Sequence, residues 1–190
     1  MSGAREGKRR RNLKKVREAM ESPYPVFFED ETKKYITTIV RRVIARRGSK
    51  PVIRTIQKWD GIFVICALNA RSGEVFVMMS DRVDSETFIK FLYQLKRAVG
   101  KDKIYVIWDN AGGHVAKRVK RYAEKEGIYL IRQPPWSPHL NPVEEIWREL
   151  KIHLANRLFF SVDELKDAIM EFFEIKGYVE RINIDGYFSG

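Results

Sequence analysis

The chain has one cysteine and three histidines in 190 residues. A lone Cys66 excludes an internal disulfide, and its place in an apolar run reads as a small buried hydrophobe rather than a reactive thiol. His114, His139 and His153 lack the spacing of zinc ligands. Long hydrophobic stretches are also missing: the longest clean run, residues 62–68, is seven residues, whereas a membrane-spanning helix needs about twenty. The basic N-terminus has no apolar segment behind it, so it does not read as a secretory signal. These absences describe a reduced, intracellular chain with no membrane span. With 44% hydrophobic residues, a length of 190 suits one domain with a real core.

Acidic residues are scarce in two places, and those places carry the charge. The chain has 36 Lys plus Arg against 25 Asp plus Glu, a net charge of +11. Residues 1–18 hold eight basic residues against Glu6 and Glu18. Residues 33–58 hold nine (Lys33, Lys34, Arg41, Arg42, Arg46, Arg47, Lys50, Arg54 and Lys58) and no acid. Two such blocks point to a polyanionic partner, nucleic acid before any other.

The first block has few apolar residues and no aromatic, so residues 1–22 read as a basic tail or linker, disordered or a lone basic helix, with structure expected from Pro23. Val26, Phe27 and Phe28 run into Glu29, Asp30 and Glu31, a buried strand ending in carboxylates. Residues 62–68 and 74–79 are β-rich runs on either side of a turn, a hairpin. Phe88, Phe91, Leu92, Leu95 and Val99 then form one helical face, with Gly100 as its stop. Residues 104–108 read as a central strand ending at Asp109, and a helix is expected from about Gly113 to Gly127. Residues 128–131 form a short strand and 133–140 a turn-rich loop. Asn141, Pro142 and Glu144 spell a helix start with cap, first-turn proline and capping-box acid, and Ser161 with Glu164 spells another. This order fits an α/β fold, a mixed sheet with helices on both faces, of which the RNase H-like arrangement is one form.

In such sheets ligands gather at the carboxyl ends of strands, where this reading places Asp30 and Asp109. Glu144 is the third candidate. At about 100° per residue it borders the buried face of its helix, beside Trp147 and Lys151, while Glu145 faces away. Three hard oxygen donors suit Mg²⁺ or Mn²⁺. Paired divalent ions at such a site activate an attacking oxygen and stabilise a leaving one at a phosphodiester, chemistry that matches the basic surface. Asp81 and Asp84, after the third strand, are rivals to Asp30.

The stretch from Trp108 through Asp109, Asn110, Ala111, Gly112 and Gly113 to His114, the run from Pro134 to Glu144, and Trp147 to Lys151 resemble the mariner-like DDE transposases and their prokaryotic insertion-sequence relatives. Thirty-four residues separate Asp109 from Glu144, as in that family. The resemblance implies an RNase H-like catalytic domain over residues 23–190, with a basic insertion at 33–60 that touches DNA and a partner subunit. It implies a triad of Asp30, Asp109 and Glu144 that binds two Mg²⁺ or Mn²⁺ ions, cleaves DNA at transposon ends and transfers the strand. One ion is expected on Asp30 and Asp109, the second on Asp30 and Glu144. Arg41, Arg42, Arg46, Arg47, Lys50, Lys117 and Lys151 are the expected DNA contacts, and Asn110, His114, Trp136 and Asn141 the supporting residues. Trp136 and His139 stand where the family usually has Tyr and Asp. Relatives carry a helix-turn-helix region before this domain, where only some twenty residues precede the first strand, so a separate DNA-binding chain or domain is an expected partner, beside a homodimer and a cytoplasmic, nucleoid-associated location. A non-catalytic, DNA-binding or inhibitory truncated transposase, or another RNase H-like nuclease, are the alternatives.

Overall fold

In a computed structural model, the structure describes residues 2–108, 116–133 and 141–176. Its elements run α1 (Ser2–Glu21), β1 (Val26–Tyr35), β2 (Gly61–Asn69), β3 (Val75–Ser80), α2 (Ser85–Val99), β4 (Ile104–Trp108), α3 (Ala116–Lys125), β5 (Ile128–Arg132), α4 (Val143–His153) and α5 (Val162–Lys176). The five strands form one sheet in the order β3-β2-β1-β4-β5. β1 to β3 are antiparallel, as hairpin-type connections require, while β4 and β5 join in parallel after helical crossovers. The mixed sheet expected from the sequence is therefore present.

Alternation along the strands divides the core in two. Val26 and Phe28 of β1, with Ile107 of β4, face α4 and α5 and pack with Ile146, Trp147, Leu150, Leu165, Ile169 and Phe172. Phe27, Val106 and Trp108 face the other way, onto Phe88, Phe91, Leu92 and Leu95 of α2 and Val119 and Ala123 of α3. Both helical layers arise from the apolar stripes read in the sequence. Asp84 caps α2 by accepting a hydrogen bond from the Thr87 amide at 2.8 Å, and Gly100 closes it in the left-handed conformation at φ 61°. Asp84 is thereby committed to a helix cap and is no rival to Asp30. Ser161 caps α5, accepting from the Glu164 amide at 3.2 Å, and the Glu164 carboxylate reaches back one residue further, accepting from the Phe160 amide at 2.8 Å.

Two expectations change. Residues 2–21 form a helix that packs, with Val16 and Ala19 buried in the α4/α5 core and Asn12 donating to the Gln133 carbonyl at 3.3 Å. Three apolar residues near its C-terminal end, Val16, Ala19 and Met20, suffice to dock it, and the cations stay in solvent. Secondly, β1 does not end at its carboxylates. It continues to Tyr35, paired residue for residue with β2 as far as Gly61, so Asp30 sits inside a strand. Pairing with β4, by contrast, covers only Val26 to Phe28. Asp30 therefore lies just beyond the described β1–β4 pairing.

The basic segment 36–60 leaves β1 as an arm. Its root continues the pairing: the Ile36 amide donates to the Asp60 carbonyl at 3.0 Å and the Thr38 amide to the Ile56 carbonyl at 2.9 Å. Asn156, after α4, clasps it from the other side, accepting from the Arg41 amide at 2.9 Å and donating from its own amide to the Ile39 carbonyl at 2.8 Å. Beyond the root the arm is exposed, Arg41, Arg42, Arg46, Arg47 and Lys50 included.

Candidate active site

Glu29 and Asp30 point to opposite sides of the sheet by the period of two, which gives Asp30 the face of Phe28 and turns it toward α4. The meeting is direct: the Trp147 indole N–H donates to Asp30 Oδ2 at 2.9 Å. A buried indole needs an acceptor for its one donor, and this carboxylate supplies it. Asn141 fixes where α4 begins. It is buried, its side-chain amide donates to the Glu29 carbonyl at 3.4 Å, and its Oδ1 accepts from the Val143 amide at 3.1 Å. Pro142 already has helical dihedrals, φ −64° and ψ −16°. One side chain thus caps the helix and ties its first turn to the strand residue before Asp30.

That tie brings Glu144 to Asp30. Val143, Ile146, Trp147 and Leu150 are buried, and Glu144 stands exposed at the edge of their face, as the helical angles predict. Among the described residues its carboxylate makes no hydrogen bond, so the second half of the capping box is unmade. Glu145 turns outward into an ion pair with Arg148, with Nε to Oε2 at 2.7 Å.

Burial dominates the electrostatics of the site. Burial pushes the Asp30 carboxyl up from 3.8 to about 7; the Trp147 hydrogen bond opposes this, and the Glu144 and Glu31 charges add to it. Glu144, from an element distant in sequence, is held close enough for its charge to raise the cost of ionising Asp30, an arrangement that a divalent cation relieves. Lys34 lies on the same face of β1, two strand periods beyond Asp30. Its ammonium sits over the Trp147 ring, 5.7 Å from the centroid, and donates to Thr32 Oγ1 at 3.2 Å. Burial and the Lys151 charge lower its pKa, while Glu144 and Asp30 act in the opposite sense.

Of the residues singled out in the sequence, the structure brings together Asp30, Asn141, Glu144 and Lys151. Lys117 is exposed on α3, across the sheet from α4. Asp109, Asn110, His114 and Trp136 lie outside the described residues, as does most of the loop 133–140. Among the described residues no group of three or more His, Cys, Asp or Glu is placed to hold a metal. Two functional neighbours escaped the sequence reading as site residues. Trp147 was visible as an aromatic on the buried face with a donor to satisfy, and Lys34 as an even-numbered neighbour of Asp30 on one strand.

Residues 25–166 match the family model described as DDE superfamily endonuclease. The 39 kDa protein of insertion element IS630 from Shigella sonnei is 26% identical over 140 residues, covering 73% of this chain and 41% of that protein. Among solved structures, the Mos1 transposase paired-end complex with the left transposon end superposes with a TM-score of 0.73 at 16% identity, over 98% of this chain and 61% of that one. The Mos1 mariner paired-end complex with Mg gives 0.72 at 18% identity, over 98% and 60%. The chain thus spans 41% to 61% of the length of these relatives. No helix among the described residues is long and apolar enough to cross a membrane. The fold is that of the Mos1 transposase structures, and with a family match over most of its length the chain belongs to the DDE superfamily endonucleases.

Proposed function

We propose that this domain cleaves DNA at transposon ends and transfers the freed strand, using Asp30, Asp109 and Glu144 as the ligands of divalent metal. The observation that carries this reading is the convergence of Asp30 from β1 and Glu144 from α4 on one face of the sheet, with the Asp30 carboxyl pushed up to about 7 by burial and by the Glu144 charge. The donor set fits Mg²⁺ or Mn²⁺, hard ions that take carboxylate oxygens and keep open positions for substrate oxygens. Asp109 follows Trp108 directly, and Ile107 just before it packs on the face that carries Asp30. Asp30 and Asp109 would hold one ion, Asp30 and Glu144 the second; bound there, the pair activates the attacking oxygen and screens the leaving one.

The chain's own residues do the rest. Trp147 occupies Asp30 Oδ2 and so fixes the carboxylate's rotation, and Asn141 holds Glu144 at the strand. The exposed cations of the arm, with Lys117 and Lys151, supply sequence-independent affinity for the phosphate backbone. Ile44 and Val52 are exposed on the same arm, which supports contact with a second subunit in the assembled complex. A separate chain or domain would read the end sequence. A substrate of this kind puts the protein with the nucleoid in the cytoplasm.

Crystals soaked in Mn²⁺ test the reading without depending on end recognition. An anomalous peak ligated by Asp30 and Asp109, with Glu144 near, is expected, and it is lost in Asp30→Asn. Absence of any peak at high Mn²⁺ overturns the reading in favour of a non-catalytic DNA-binding protein.

A further inference from the structure

Lys34 is a cation in an unusual position. Most lysines of this chain stand in solvent, whereas Lys34 is half-buried at the edge of the carboxylate site. Among the described residues it forms no ion pair: its amine meets the Thr32 hydroxyl at 3.2 Å and the face of Trp147, neither of which carries charge. The same indole donates to Asp30, so one rigid ring spaces the amine from the carboxylate. On α4, Glu144 precedes Trp147 by one turn and Lys151 follows it by one turn. The surface around Trp147 therefore carries Asp30 and Glu144 toward the start of α4, and Lys34 and Lys151 toward its end. Two amines that repel each other, one of them partly desolvated, stand beside the carboxylates, and the Lys34 amine has no direct anionic partner among the described residues.

We infer that Lys34 binds a non-bridging phosphate oxygen of the DNA strand held at the Asp30 and Glu144 carboxylates, with the Trp147 ring setting its reach. This rests on the proposed metal-dependent DNA cleavage and adds a substrate contact from the strand that supplies the first metal ligand. The strand would lie with its reacting phosphate at the carboxylates and the neighbouring phosphate at Lys34, above the buried Trp147 ring that spaces the two. Lys34 acts by charge, and no proton or covalent bond is exchanged at it.

The test uses the whole chain with Lys34→Met, which keeps the stem on Trp147 and removes the charge, and Lys34→Arg, which keeps the charge. Binding to a short DNA duplex is followed by fluorescence anisotropy in Ca²⁺ over a range of salt. For Lys34→Met the slope of log affinity against log salt falls by about 0.9, and affinity at 0.15 M salt falls about fivefold. Lys34→Arg retains the wild-type slope. Replacing single phosphates by neutral methylphosphonates identifies one position that weakens wild type and leaves Lys34→Met unaffected. An unchanged slope in Lys34→Met, or equal sensitivity of both proteins at every phosphate, overturns the inference. Mn²⁺ binding by Lys34→Met, measured calorimetrically, is retained or strengthened, since a cation beside the carboxylates is removed; if wild type itself binds no Mn²⁺, the metal reading fails, a result distinct from failure of the phosphate contact.

Discussion

At the scale of single residues, Trp147 carries more of the site than its composition suggests. It is an aromatic in a helix core, a hydrogen-bond donor to a metal-ligand candidate and a platform for a lysine. Removing the donor alone separates these roles. Trp147→Phe keeps most of the packing and leaves Asp30 Oδ2 without its partner, so Mn²⁺ affinity should fall by about 10-fold or more, in the range seen when outer partners of metal ligands are removed. Isothermal titration calorimetry reads this directly, and a wild-type affinity would show that the indole does not orient the carboxylate. Both neighbours were partly legible from the sequence: the helical angles place Trp147 beside Glu144, but no pattern in β1 said which helix Asp30 would face.

At the scale of elements, the length of β1 decides where the site sits. Three apolar residues and a run of acids read as a strand with a carboxylate end, because Thr32, Lys33, Lys34 and Tyr35 carry no continuous apolar signal. Pairing with β2 overrides that local reading, since the long antiparallel partner satisfies the backbone of β1 out to Tyr35. Gly61 closes this ladder. A Cβ there would stand 2.1 Å from the Lys34 carbonyl oxygen and 3.0 Å from its carbon, so only glycine lets β2 start this close to β1. Gly61→Ala should therefore cost at least about 2 kcal/mol by forcing the strands apart. Urea denaturation measures it, and a midpoint equal to wild type would mean that the end of the ladder yields freely. The tail shows the same override: eight cations in residues 1–18 mask the short apolar stripe of Val16, Ala19 and Met20 that docks α1.

At the scale of the whole molecule, charge at the site opposes stability until a cation is present. In the metal-free chain Asp30 titrates near 7, against 3.8 for the free side chain. Below about pH 4 both folded and unfolded forms hold the proton. Between about 4 and 7 the unfolded chain has lost it while the folded chain keeps it, so unfolding releases a proton and stability falls as pH rises through that window. Above about 7 this contribution levels off. Urea midpoints of wild type and Asp30→Asn, compared at pH 5 and pH 7.5 in chelator, should show a steeper decline in wild type, with Asp84 and Glu171, whose carboxyls are held low by the Thr87 amide and by Arg157 respectively, common to both. Added Mn²⁺ should reverse the decline in wild type alone. Parallel declines in the two proteins would assign the cost to other groups.

The apolar periods of α2, α4 and α5, the hairpin, the cap of α5 and the edge position of Glu144 were determined by the sequence alone, because each is a contest between neighbours within one or two turns of chain. Net charge and the two basic blocks likewise needed no structure to indicate a polyanionic partner. The tertiary structure decided that Asp30 lies within a strand, that Asn141 binds β1 as well as α4, and that Lys34 and Trp147 share the carboxylate site. Each of these depends on which element packs on which face of the sheet. That choice is made by the burial of two whole apolar layers, and no short-range pattern encodes it.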